Sequence, residues 1–459
     1  MYFLYTLLTA TGALLLLPYF AFERWRRGKY FHGLKQRRGY LPAAVRTPDG
    51  EKGTIWIHAV SVGEVLAALP LARKLRERFP RRRLVISTTT PTGQVLARER
   101  APFADAVFYF PFDWPRPLSR AFEAVRPALV VIMETEIWPN FLRHARRAGV
   151  PVVFVNGRIS EKSFKRTRRY SDISGHFMEK VLAGPDLFLM QSADDARRIR
   201  LLGAPEERVA VTGNLKYDVT PPQGGALLAW LQRQIREQER WPVIVAGSVV
   251  ADEEEEVLAA FDAVQRKWRH ALLVLAPRKT ERFVPAASLV EERGWTIVRR
   301  SSLDLTGALN DSADVLLLDS LGELASLYEV ADAVFVGGSL VPAGGHNILE
   351  PAWFSKPPVF GPSMENFRQM AAEFVSAGAG VQVRSSSELG QEWVKLLEDK
   401  SRRESMAIAA RSLVERNQGA TDRTLQRLAA FLDEPAYAEP AGIEPAGTAT
   451  LPPEKRGRA

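Results

Sequence analysis

The side chains able to do chemistry in this chain stand at the ends of short apolar runs. In HAVSVGE, residues 58–64, Glu64 follows the run TIWIH and opens the segment EVLAALPLARKL. A carboxylate there suits a helix start, where negative charge is favoured, and it is equally placed to take a proton as a general base. The helix dipole lowers its pKa, so a useful base at this position needs desolvation to bring it back up. METEIWPN puts Glu134 and Glu136 after another apolar run, where acids either bind sugar hydroxyls or cap the helix that Trp138 and Pro139 begin. VTGNLKYD places Lys216 after a further run. A lysine there either neutralises a departing phosphate or stays solvated.

The second half of the chain repeats the pattern with phosphate-binding residue types. LLVLAPR ends on Pro277 and Arg278, and a guanidinium grips phosphate by paired hydrogen bonds. DSLGEL offers Leu321, Gly322 and Glu323, a turn whose backbone can edge a nucleotide base. The stretch DAVFVGGSLVPAGGHNILE, residues 332–350, leads from a buried strand through a glycine-dense turn into a helix. Gly337, Gly338, Gly344 and Gly345 let the backbone bend sharply and approach a ligand closely, and the N–H groups of the helix start near Asn347 are expected to face an anion. Glu350 is expected about one turn into that helix, where it can accept from ribose hydroxyls. A tight connection without a ligand is the plainer reading of this one segment, but three such loops together point to a nucleotide site.

Positioning these loops requires alternating strands and helices. Short runs rich in Val, Ile and Phe recur from residue 54 to 213 and again from 243 to 360, as in sheets buried on both faces. The segment TPPQGG at 220–225 separates the two series. The expected fold is α/β, two Rossmann-like parallel-sheet domains facing across a cleft, with ligands at the carboxyl ends of the strands. The expected domains are 41–219 and 220–433. Residues 434–459, rich in proline and alanine, are expected to be a disordered tail. Cysteine is absent, which excludes disulfides and thiolate chemistry, and the six histidines show no HxxxH spacing for zinc.

A net charge of +9 calls for a polyanionic partner, and the N-terminus narrows the choice. Residues 3–22 are uncharged and largely apolar, about the length a helix needs to cross a bilayer. No basic residue precedes the run and no small-x-small site follows it, which disfavours a signal peptide. Instead Arg24, Arg26, Arg27, Lys29, Lys35, Arg37 and Arg38 form a basic collar, which keeps the following domains on the cytoplasmic side. Residues 1–40 are therefore expected to be a membrane anchor, either spanning or lying in the interface.

The motifs HAVSVGE, TTTPTGQ, PFDWP, METEIWPN, VNGRIS, GNLKYD, AGSVVADEEE, APRKTERF, DSLGEL and GGHNILEP, in this order, resemble those of the 3-deoxy-D-manno-octulosonic acid (Kdo) transferases. The resemblance implies a GT-B glycosyltransferase fold. It implies transfer of Kdo from CMP-Kdo to a lipid A precursor, lipid IVA, at the anionic inner-membrane surface, with no metal, no other cofactor and no nucleic acid. Glu64 then corresponds to the proton acceptor, and Glu134 and Lys216 to transition-state stabilisers. The CMP contacts fall on Pro277, Arg278, Leu321, Gly322, Glu323, Asn347, Ile348, Leu349 and Glu350. Two other readings stay open: a GT-B enzyme using a UDP-sugar, and an inactive membrane scaffold.

Overall fold

The computed structural model describes residues 1–27, 33–48, 51, 53–173, 176–219 and 224–433. The core of the expected linker, part of the basic collar and the whole expected tail lie outside the described residues.

The first apolar series forms β1 (Thr54–His58), β2 (Leu84–Thr88), β3 (Ala106–Tyr109), β4 (Pro127–Met133), β5 (Val152–Gly157), β6 (Leu187–Met190) and β7 (Val209–Val211). The second forms β8 (Val243–Val249), β9 (Leu272–Pro277), β10 (Ile297–Arg299), β11 (Val315–Leu317), β12 (Ala333–Val336), β13 (Pro358–Phe360) and β14 (Val381–Gln382). Each series builds one seven-stranded parallel sheet, so the α/β reading with two parallel-sheet bodies holds. Helices cover both faces, which is why β1 buries Ile55, Trp56 and Ile57 completely and shows no polar alternation.

Strand order places the chemistry. The first sheet runs β3-β2-β1-β4-β5-β6-β7, so the order reverses between β1 and β4. The loops leaving those two strands part there, and they carry Glu64 and Glu134. The second sheet runs β10-β11-β9-β8-β12-β13-β14 and reverses between β8 and β12, where the glycine turn begins. Both switch points open a crevice at the carboxyl ends of the strands, the usual place for a ligand in such sheets.

After the second sheet the chain crosses back. Asp218 accepts hydrogen bonds from the Gly419 and Thr421 amides at 2.7 and 2.5 Å, and pins the crossing beside the hinge. The helix Ala420–Ala429 then lies on the helix Val62–Arg78, with Lys74 paired to Asp422 and Leu428 and Leu432 in the same apolar cluster as Leu71.

The N-terminal helix, Tyr2–Arg27, carries most of the apolar run and the start of the collar. Its inner face is held by polar contacts: Asn140 Nδ2 donates to Thr6 Oγ1 at 2.8 Å and Trp114 Nε1 to Thr9 Oγ1 at 3.3 Å, while Tyr2 meets the Phe177 ring edge-on at 5.1 Å. Among the described residues no helix is long and apolar enough to cross a membrane. The expectation of a spanning segment is therefore corrected. Threonines on the inner face serve the protein.

Candidate active site

Glu64 is the third residue of the helix Val62–Arg78, and only 6% of it is exposed. Its Oε2 accepts from the Val60 amide at 2.8 Å and its Oε1 from Ser61 Oγ at 3.0 Å, so the carboxylate folds back over the turn leaving β1. Burial pushes its pKa up to about 7, the negative charges of Glu134 and Glu136 add to the rise, and the two hydrogen bonds oppose it. Desolvation thus outweighs the two hydrogen bonds. A carboxylate balanced near neutrality takes a proton most effectively at working pH.

The charge of Glu134 acts on Glu64, and Lys216 pairs with Glu134. Lys216 Nζ lies 3.4 Å from Glu134 Oε1, with side-chain exposures of 18% and 22%. Glu134 holds a left-handed backbone, φ 54°, at the end of β4, a strained geometry for a non-glycine residue that re-aims its side chain. Glu136 is also raised by burial and by Glu134. Asn156, not singled out from sequence, has φ 58° and is fully buried at the end of β5. Its Oδ1 accepts from the Leu215 amide at 2.9 Å, and Asn214 Oδ1 accepts from the Lys216 amide at 3.0 Å. Those two bonds set the loop that presents Lys216. The only signal for Asn156 was its place in VNGRIS after a buried strand.

On the second sheet the glycine turn is fastened within the protein. Each of its four glycine amides has a protein partner: the Gly337 amide donates to Gly247 O at 2.8 Å, Gly338 to Glu253 Oε2 at 2.6 Å, Gly344 to Ser363 Oγ at 2.9 Å and Gly345 to Gly338 O at 2.7 Å. Glu253, with no exposed surface, also accepts from the Ser339 and Leu340 amides at 2.9 and 2.8 Å. The turn is a tied scaffold and not an open anion nest. Glu253→Ala is expected to leave four N–H groups unpaired, those of Gly338, Ser339, Leu340 and Val250, and to cost about 4 kcal/mol or more of stability, at roughly 1 to 3 kcal/mol each. Urea unfolding checks this.

Side chains supply the polarity that the turn does not. Arg278 is exposed at the end of β9, where its amide donates to Val249 O at 2.7 Å, and it has no ion pair among the described residues. His346, unmarked in the sequence reading, has a buried Nε2 without a partner, and burial with Arg278 nearby lowers its pKa to about 4. It is a neutral imidazole. Glu350 is the second residue of a five-residue helix, Leu349–Trp353, and not a full turn in. Burial raises its pKa to about 7, against the lowering effect of Asn347 Nδ2 at 3.4 Å and of Arg278. Ile348 and Leu349 are wholly buried, so only their backbone can meet a ligand. Pro277 closes β9 within the core. Glu323 is bound by Arg300, Nε to Oε2 and Nη2 to Oε1 both at 3.0 Å, which leaves the exposed Leu321 and the left-handed Gly322, φ 88°, as the open edge of that turn.

One of the segments through which the two halves meet lies at the site. The Asn366 amide donates to Gly344 O at 2.9 Å, Arg158 Nη1 reaches Asn366 O at 3.0 Å, and the Phe367 ring lies 5.5 Å from Lys216 Nζ. The glycine turn of the second half and the Lys216–Glu134 pair are thus linked across the cleft. Among the described residues no group of three or more His, Cys, Asp or Glu side chains is placed to hold a metal ion.

Comparison with known proteins agrees with this layout. Residues 32–219 match the family described as 3-deoxy-D-manno-octulosonic-acid transferase (kdotransferase). The 3-deoxy-D-manno-octulosonic acid transferase of Haemophilus influenzae is 35% identical over 437 residues, covering 94% of this chain and 99% of its own length. That of Bordetella pertussis is 33% identical, covering 89% and 95%. Among solved structures, the UDP-GlcNAc 2-epimerase of Neisseria meningitidis superposes with a TM-score of 0.53 at 12% identity, covering 83% of this chain and 99% of its own. Anabaena HepE in complex with UDP gives 0.53 at 14%, covering 83% and 99%. Those two likenesses show the fold alone. A buried carboxylate poised beside a lysine–glutamate pair across from an arginine-bearing second sheet, together with relatives matched over nearly their whole length, establishes that this chain belongs to the 3-deoxy-D-manno-octulosonic acid transferases and is a glycosyltransferase.

Proposed function

We propose that the enzyme moves Kdo from CMP-Kdo to a hydroxyl of a lipid A precursor, lipid IVA, in lipopolysaccharide assembly, with inversion at the transferred carbon. The observation that carries this reading is Glu64, a carboxylate with pKa about 7 at the switch point of the first sheet, next to Lys216 and Glu134.

The acceptor hydroxyl loses its proton to Glu64 as its oxygen attacks the anomeric carbon from one face. The bond to CMP breaks on the other face, and its electron pair leaves with the phosphate. Lys216 offsets the charge that develops, and Glu134 holds Lys216 in place. CMP is held by Pro277 and Arg278, by the edge Leu321–Glu323, and by Asn347 to Glu350, with Ile348 and Leu349 contributing backbone only. No metal or other cofactor is assigned, because CMP carries a single phosphate and basic side chains can offset its charge. The lipid acceptor places the enzyme at the anionic cytoplasmic face of the inner membrane, and nothing in the reading calls for nucleic acid.

Incubation with CMP-Kdo and lipid IVA tests the reading, with a product heavier by one or more Kdo residues as the expected result. A donor other than CMP-Kdo is the outcome if UDP, and not CMP, protects the protein from heat. Arg278→Ala is expected to weaken CMP binding about 10- to 150-fold, the equivalent of roughly 1.5 to 3 kcal/mol for a charge-assisted contact. Titration calorimetry reads it, and unchanged affinity removes Arg278 from the donor site.

A further inference from the structure

A basic pocket lies far from the cleft, at the start of the N-terminal helix. It encloses about 490 Å³ and is lined by Tyr2, Arg143, Arg146, Arg147, Lys180 and Gly184, among others. Arg146 and Arg147 close the helix Pro139–Arg147, and Lys180 comes from the helix Phe177–Leu182. Arg143 lies over the Tyr2 ring at 4.7 Å, while Arg146, Arg147 and Lys180 have no ion pair among the described residues. Four cations converge on a cavity to which no lining carboxylate contributes. The helix Glu161–Ile173, which exposes Lys162, Arg166, Arg168 and Arg169, packs beside Phe177–Leu182 and extends the charge.

The apolar face begins where the pocket ends. Phe3 is 79% exposed, and Leu4, Leu7, Leu8, Leu14 and Leu15 are 49, 51, 63, 66 and 74% exposed. At 100° per residue these six fall on one side of the helix, opposite Tyr2, Tyr5, Thr6 and Thr9, which face the body, while Leu16, 51% exposed, falls on the side of Tyr5 and Thr9. A helix seated this way lies in the plane of a bilayer interface with its leucines in the acyl boundary, and the pocket then sits at headgroup depth.

We propose that this pocket is a binding site for the phosphate headgroup of an anionic membrane phospholipid, which seats the enzyme on the bilayer through the leucine face of the N-terminal helix. It rests on the reading that the enzyme works at a membrane, and it names the surface. A free anion gives the leucines no role. A second copy of the chain, docked symmetrically on the same face, would set one basic pocket against another.

Co-sedimentation of the full chain with vesicles tests it without donor or transfer. Binding to vesicles containing phosphatidylglycerol is expected to exceed binding to pure phosphatidylcholine. Arg146→Ser/Arg147→Ser/Lys180→Ser is expected to weaken anionic-vesicle binding on the order of 100-fold, since each basic residue near the surface contributes about a factor of five. The three residues are solvent-facing, and an unchanged melting curve verifies folding. Leu7→Ser/Leu14→Ser/Leu15→Ser is expected to lose both kinds of vesicle. Inorganic phosphate at constant ionic strength is expected not to release the protein, and release would make this a free-phosphate site and overturn the proposal. If the triple charge variant binds as wild type does, the pocket is rejected while the membrane reading stands. If wild type ignores every vesicle and instead self-associates through the leucines, both are rejected.

Discussion

Glu64→Gln is expected to lower turnover by about 100- to 10,000-fold while CMP affinity stays nearly constant, because the amide keeps the shape of the turn and cannot take a proton. Single-turnover transfer beside calorimetry separates the two effects. In the wild type, the base form of Glu64 fills as pH rises through about 7, so kcat/KM is expected to climb across neutrality and then level. Stability moves the other way. The folded-state pKa lies above the ordinary value of 4.5, so the contribution of Glu64 to stability is complete below about pH 4.5 and is lost as pH rises through about 7. Glu64→Gln is therefore expected to melt higher than wild type at pH 8, with the gap closing at pH 5. A variant that transfers at near wild-type rate returns Glu64 to the role of a helix-start carboxylate.

That opposition between rate and stability was half legible in the sequence. The apolar run TIWIH fixed a buried strand, and the acid after it had to fall at the strand's carboxyl end. The sign of its pKa shift was open, because the dipole and burial compete and only packing settles which is larger. Lys216 and Glu134 could be placed at strand ends for the same reason, but nothing in their spacing brings residues 82 apart to 3.4 Å. The sheet order does that. What fastens the glycine turn was not legible. A sequence shows which N–H groups a turn frees, and not which distant side chain will claim them; here Glu253 claims three from a helix that starts 85 residues earlier than Gly338. The N-terminal run misled for a similar reason. Apolar content over 20 residues reads as a span, yet Thr6 and Thr9 are inner-face anchors whose partners, Asn140 and Trp114, lie more than 100 positions away.

Lys216→Met is expected to lower turnover by about 100- to 1,000-fold, the scale for removing one group that stabilises charge in the transition state. The ammonium is held by Glu134 from the first sheet and covered by Phe367 from the second, so it sits where both halves converge and where a departing phosphate would meet it. Its removal has a second consequence. Glu134 then keeps an uncompensated negative charge near Glu64, which makes the Glu64 carboxylate harder to form, so the midpoint of the pH–rate profile is expected to move up. Glu134→Gln is expected to move it down, since the charge of Glu134 is one of the causes that raise Glu64. A lysine and a glutamate that served only to brace the fold would lower stability without shifting the profile in opposite directions. The double variant is expected to cost less than the product of the two singles, because each single leaves one half-buried charge unpaired and the double leaves none. Two profiles displaced the same way, or a double variant that is fully additive, would show that the pair does not act on Glu64 and that Lys216 meets the leaving group, if at all, on its own.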